Sequence, residues 1–361
     1  MTKHFLKLLF ITALLWSCDD KDDEPDNGPS ATPDADLVDI RDFTIKPAYL
    51  NALSSAGALQ NSMLDFNINP TSENLDAVQS GLKTAWLAWQ SASPFEFGPA
   101  DDVSLRANVN TFPVDSFSVL QRIENQDFII IANDTKGFPA LDLLFNGIGN
   151  SDAEILGLYT GDDASDFIAY SQAVINDISE KLGAVKSSWD GSYGESFTTN
   201  TGFATGSSYS LFINAYVQDW EQIKRERIAL PLGLLTFQTP LPERVECYYG
   251  SYSQELAMAH VQSHYSIYLS DGYMGIQELV EDITTFTGEN GETLNEAIMA
   301  QFELSIQELS EVPDPLSETV LSDFDTVNEA YLALQDMVVL MKTDMTSGLG
   351  ISINFADNDG D

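Results

Sequence analysis

Apolar residues recur along most of this chain at the spacing of an α-helix. After Pro70, Thr71 and Ser72 the buried-type positions are Leu75, Val78, Leu82, Ala85, Trp86 and Trp89. Steps of three and four residues place all six on one face, and a hydroxyl ahead of them predicts the N-cap. Similar stripes run through Phe167 to Leu182, Tyr209 to Ile228, Ser253 to Leu269, Leu294 to Leu309 and Val327 to Met341. Period-two alternation is scarce; Phe128 to Ile131 is a short β-rich run, expected as a helix end or buried turn. The Gly/Ser/Thr-rich residues 183 to 208 interrupt the pattern and are expected to join two helical halves, about 37–182 and 209–345. The predicted fold is all-α, with the two bundle-like halves packed around a shared cleft.

The first residues read differently. Lys3 and Lys7 precede an apolar run from Leu8 to Leu15, too short for the roughly 20 residues that cross a bilayer. A signal peptide over residues 1–17 is the expectation. Leu15-Trp16-Ser17-Cys18 resembles a lipobox, which makes Cys18 the expected site of acylation, and acyl chains hold a protein at a membrane through buried methylenes. Residues 19–36 carry eight acids, one lysine, three prolines and no large apolar side chain. No core can form from that composition, so residues 18–36 are expected to be a disordered tether. The run Lys21 to Glu24 resembles an acidic surface-export signal of some Gram-negative groups. The expected location is therefore the outer membrane, lipid-anchored at the cell surface, with the periplasmic face as the alternative.

Composition narrows the partners. A formal net charge of −40 on 361 residues repels a phosphate backbone and excludes nucleic acid as a natural partner. Metal ions and basic proteins remain compatible. Cys18 and Cys247 are the two cysteines, so lipidation of the first leaves no intrachain disulfide.

Candidate chemistry is sparse. Beyond the leader the histidines are His260 and His264, one helical turn apart on the Ser253–Leu269 stripe. That spacing suits a metal or haem ligand pair, with Asp142 as the third ligand from the facing half; it equally suits two core histidines bonded to tyrosine or backbone. Lys224, Arg225 and Arg227 cluster ahead of Pro231. They complement a helix C-terminus or contact an anion at the seam between halves, and Glu243, Glu246 and Glu255 are near enough in sequence to neutralise them. Asp357 to Asp361 resembles the opening of a calcium loop but lacks the glutamate at position 12. HExxH, GxSxG, phosphate-loop and CxxC motifs are absent.

Several segments, taken in order, resemble the imelysin family, secreted helical proteins filed as peptidases and linked to iron uptake. They are Ile45-Lys-Pro-Ala-Tyr49, Trp86-Leu-Ala-Trp89 running to Phe95-Glu-Phe-Gly-Pro99, Phe112-Pro-Val-Asp115, Lys136 to Phe145, Lys224 to Gly233, Val245 to Ser253, and Ser347-Gly-Leu-Gly350 with the Asp357 to Asp361 ending. The resemblance covers residues 37–361. The family's GxHxxE signature falls on Gly137, Pro139 and Asp142. A histidine and a glutamate three apart share a helix face and ligate one metal. Proline has no ligand atom, so that pair is absent and Pro139 reads as a first-turn helix residue. The resemblance implies a binding component of envelope iron or haem acquisition. A metallopeptidase, which the departures at Pro139 and Asp142 argue against, and a structural or adhesive surface protein are the alternatives.

Overall fold

The computed structural model describes residues 32–281, 283–288 and 291–355, and among these every regular element is helical. The signal peptide, Cys18, most of the tether and the Asp357–Asp361 ending lie outside the described residues. Eight helices matter here: α1 (Lys46–Ile68), α2 (Ser72–Ala92), α3 (Gly137–Asp142), α4 (Ala164–Asp190), α5 (Ser208–Gln222), α6 (Ser253–Leu269), α7 (Leu294–Ser310) and α8 (Phe324–Val338).

Within the span expected as tether, Asp34 to Asp36 belong to a helix and its cap. The Asp34 carboxylate accepts from the amides of Asp36 and Leu37 at 3.0 and 3.2 Å and caps the helix Ala35–Asp39. Its own amide donates to Thr198 O at 2.7 Å, and the Tyr209 hydroxyl donates to its side chain at 3.2 Å. An acid that composition assigns to a solvated tether is thus a cap, satisfying donors a helix start leaves open.

The α2 stripe is buried throughout, from Leu75 to Trp89, and Thr71 caps the helix through the Asn74 amide. Helix α1 packs against α2 and α4; α7 packs against α8 and α6, and α6 also lies on α2. That last contact joins the first set of helices to the second, and one continuous apolar core runs through both. Residues from Pro33 onward form one compact unit.

Two expectations fail. Helix α4 continues through Gly183 to Asp190, and Ser192–Thr199 is helical as well, so the connection shrinks to residues 200–207. Burial decides this: Ile178, Leu182, Val185 and Trp189 keep the helical spacing, and their packing outweighs the roughly 1 kcal/mol that a mid-helix glycine costs. The Phe128–Ile131 run is neither helix end nor buried turn. It is irregular, with Phe128 and Ile130 half-buried and Ile129 and Ile131 exposed.

Candidate functional site

Helix α5 carries Asp219 in register with its apolar face, at the step between Tyr216 and Ile223, and all three are buried. Opposite stands α6, whose i, i+4 pair His260 and His264 is fully buried too. The two rings are 5.2 Å apart between centroids. Asp219 Oδ2 is hydrogen-bonded to His260 Nε2 and lies 3.4 Å from His264 Nε2. Oδ1 of the same carboxylate accepts from the Ser93 hydroxyl at 3.0 Å and from the Arg106 guanidinium. One ligand atom from each of Asp219, His260 and His264 lies within 4.8 Å of the others.

Burial would raise the Asp219 carboxyl, but the His260 ring and the Arg106 cation outweigh it and hold the group well below the usual carboxylate range. Burial pushes the His260 imidazole down to about 3, against the pull of Asp219, and lowers His264 as well. The consistent state is an Asp219 anion paired with Arg106 beside neutral rings. His264 then poses a question of matching. Its Nδ1 is 3.2 Å from the His260 carbonyl oxygen and its Nε2 is 3.3 Å from the Tyr216 carbonyl oxygen, so a neutral ring donates to one side and turns a lone pair to the other; one of its two tautomers carries the proton on Nδ1. In that tautomer the Nε2 lone pair, the Tyr216 carbonyl and Asp219 Oδ2 converge with no hydrogen between them.

Arg106, on the short helix Leu105–Val109, connects this cluster to a cavity of about 370 Å³ lined also by Glu96, Asn110, Phe112 and Arg227. Arg227 is buried against Glu246, and its guanidinium stands 5.7 Å from the centre of the Phe112 ring. Gln90 and Asn110 donate to Glu246 Oε1 at 2.9 and 2.8 Å, and Trp86 Nε1 donates to Asn110 at 2.9 Å. Phe112 and Glu246 also line a second cavity of about 260 Å³, whose other walls include Pro139, Asp142 and Glu243. The signature segment and the histidine cluster are therefore neighbours through Arg227 and Glu246, in separate hydrogen-bonded networks.

Asp142 is not a ligand of the histidine pair. Its Oδ1 accepts from the Gly250 amide at 2.8 Å and Asn146 at 2.9 Å, and its Oδ2 from the Tyr249 amide at 2.9 Å. The carboxylate holds the 249–250 turn, whereas Asp219 supplies the oxygen that reaches the imidazoles. Burial raises Asp142 to about 6 despite these donors. Gly137 has φ of +76°, and a Cβ there would meet Val109 O at 2.4 Å, so glycine at this position answers to backbone geometry. Pro139 occupies the first turn of α3 as expected.

The basic trio does not end a helix. The segment Ile223–Ala229 winds as a π-helix that continues α5, a form that often marks functional positions. Lys224 and Arg227 turn inward and are buried, Lys224 against Glu221 at 2.8 Å; Arg225 pairs with Glu226 at 3.2 Å. Glu246 is the acid that neutralises Arg227, while Glu255 pairs with Lys83 at 2.5 Å. Sequence reasoning missed Asp219, Arg106 and Ser93. Asp219 alone carried a signal: an acid on the apolar stripe Phe212, Tyr216, Ile223.

A helical scaffold with a carboxylate and two imidazoles buried between facing helices defines an all-α protein with a polar centre in its core. The imelysin family profile matches residues 45–341, and the chain belongs to that family. It is similar to the iron-regulated protein A of Synechococcus elongatus, 28% identical over 109 residues; the match spans 29% of this chain and 29% of that protein. Its fold is that of the crystal structure of an iron-regulated protein A precursor from Parabacteroides distasonis, with TM-score 0.70 and 16% identity over 87% of this chain and 94% of that one. An imelysin-like protein from Psychrobacter arcticum shares it as well, with TM-score 0.68 and 17% identity over 90% and 99% of the two chains.

Proposed function

We propose that this protein is a membrane-anchored iron-binding component of the cell envelope, and that Asp219, His260 and His264 hold the ion. The observation that carries this reading is the approach of His264 Nε2 to both the Tyr216 carbonyl and Asp219 Oδ2, at 3.3 and 3.4 Å, which with the ring proton on Nδ1 sets three acceptors facing one another. A cation satisfies three such acceptors at once. Two imidazoles and one carboxylate form the donor set of non-haem ferrous sites, and His264 already has the second-shell carbonyl that orients a ligating imidazole. The name that two of its relatives carry, iron-regulated protein A, agrees with an iron-related role. A haem fits poorly at this pair, since both rings are fully buried against α5.

Hydrolysis at the signature position is disfavoured. Pro139 brings no ligand atom, and Asp142 faces backbone donors on both oxygens. Anchoring through Cys18, the outer-membrane location and display through Lys21–Glu24 rest on the leader and tether sequence.

Trp220 supplies the readout, because its ring lies 5.4 Å from that of His264. Anaerobic titration of the full chain with ferrous ion should quench tryptophan fluorescence saturably, at about one ion per chain. His264→Gln should remove the saturable phase while keeping the far-UV circular dichroism. No saturable phase in the folded wild type would return the cluster to a protonated His264 with a purely structural role.

A further inference from the structure

The groove between α1, α2 and α6 lies on the other side of α6 from the histidines. Gln262 and Ser266 face it, each about 200° around the helix from His260 or His264 at 100° per residue, and Ser263 lines it as well. Its volume is about 600 Å³. The walls hold an unusual combination for a chain with net charge −40. No carboxylate, ammonium or guanidinium lines it, and the polar side chains that do are hydroxyls and amides.

Five of those side chains, Asn51 from α1, Ser91 from α2 and Gln262, Ser263 and Ser266 from α6, have no hydrogen bond to the rest of the described protein. Ser263 is itself 8% exposed, and its hydroxyl stays accessible from the groove, where water or a ligand meets it. At the rim, Phe43 and Tyr273 stack on each other with centroids 3.8 Å apart and planes 9° off parallel. Both remain about half exposed, at 48% and 46%. Each ring has one face against its partner, and both residues line the groove.

We propose that this groove binds an uncharged, hydroxyl-rich ligand of the carbohydrate class. A hydrocarbon ligand would leave the five polar side chains unmatched. An ionic ligand would find no countercharge in the walls. A pyranose presents what the groove lacks: hydroxyls that both donate and accept, opposite Asn51, Gln262 and the serines, and C–H faces that pack on an aromatic ring. The free energy is that of a few neutral hydrogen bonds and one ring contact, which places the affinity at roughly millimolar. The site is independent of the metal reading, since it shares no residue with the Asp219 cluster.

Saturation-transfer difference NMR on the full chain tests this with glucose, mannose, N-acetylglucosamine, maltose and cellobiose, and with glucuronate and glucosamine as charged counterparts. The expected result is saturable binding of at least one neutral sugar, weakened about tenfold in Tyr273→Ala and in Gln262→Ala. Both side chains are exposed, so the melting temperature should not move. Stronger binding of the disaccharides identifies a glycan chain as the ligand, and equal binding identifies a free sugar. Absence of saturable binding by every neutral sugar, or binding unaltered in both variants, would overturn the proposal. So would charged counterparts that bind as well as the neutral ones.

Discussion

Arg106 and Ser93 both donate to Oδ1 of Asp219, which leaves Oδ2 of that carboxylate to the two histidines. The guanidinium also donates to the Ser93 carbonyl at 2.8 Å, so its position is fixed by the chain that supplies the hydroxyl. Arg106 and Ser93 belong to the first part of the sequence, and Asp219, His260 and His264 to the second. The carboxylate is thus shared by division: one oxygen ties the two parts of the chain together, and the other faces the imidazoles. A buried anion with a permanent countercharge on one side can accept a cation on the other without having to change protonation state.

Removing the permanent charge should make the second cation matter more. In Arg106→Gln the Asp219 anion keeps hydrogen-bond donors but loses its buried partner, a change expected to cost about 3 kcal/mol. Ferrous or zinc ion should restore a larger share of stability to this variant than it adds to the wild type, because binding to the folded state alone stabilises it. Urea unfolding with and without metal measures both quantities. An equal metal increment in the two proteins would mean that the ion does not bind at Asp219.

Asp142 should imprint a pH dependence of the opposite sense to an ordinary salt-bridged carboxylate. Burial raises its pKa from 3.8 to about 6 in the folded protein, so folding favours the protonated acid. Its contribution is fully present below about pH 4 and is lost as pH rises through about 6, by up to about 3 kcal/mol. The neighbouring titratable groups do not confuse this window: burial pushes the Cys247 thiol and the Tyr249 and Tyr252 phenols upward. Glu243 and Glu246 share the cavity with Asp142 and stay in place in the variant. Asp142→Asn should be less stable than wild type at pH 4, and the gap should narrow by pH 7. A gap that widens with pH would show that the three donors, not burial, dominate the carboxyl.

Much of the fold was legible because burial and periodicity coincide. The α2 stripe and its Thr71 cap, and the bounds of α6, follow from spacing alone. The His260–His264 pair was placed correctly on a buried face for the same reason. What spacing could not give was the partner across the interface. Asp142 looked eligible because its signature position suggested a ligand, yet the amides of Tyr249 and Gly250 come from a turn more than a hundred residues away. The inward turn of Lys224 and Arg227 depends on a π-wound segment, whose extra residue per turn shifts every later side chain around the axis. A 3.6-residue period cannot anticipate that shift.

The anchor is testable without any structural assumption. Acylation of Cys18 would hold the protein in the membrane fraction through its buried methylenes. Cys18→Ala should release it as soluble protein and abolish incorporation of labelled fatty acid. If lipidated protein is shaved from intact cells by protease, and replacement of Lys21–Glu24 by alanines protects it, the acidic run carries the address. Membrane retention of Cys18→Ala would remove the anchor, and equal shaving of both tethers would reduce the run to a solvated spacer.

Restoring the family's histidine should not restore a metal site at the signature. In Pro139→His the imidazole would stand one turn before Asp142 on α3, the spacing that a paired ligand set requires. The carboxylate it needs is held elsewhere. Its oxygens accept three hydrogen bonds at 2.8 to 2.9 Å, and Gly250 approaches so closely that a Cβ there would sit 2.8 Å from Oδ1. A metal would have to displace two backbone amides in a buried turn, each of which costs about 1–3 kcal/mol when left unpaired. The substitution itself should cost about 1–3 kcal/mol, because Pro139 is buried in the wall of the second cavity and the larger ring must be accommodated there. Combining Pro139→His with His264→Gln removes the ferrous signal of the Asp219 cluster, and titration of the double variant should then show no bound metal. A new chelator-sensitive equivalent that disappears on further change of Asp142→Ala would show that the signature position can still assemble a metal centre.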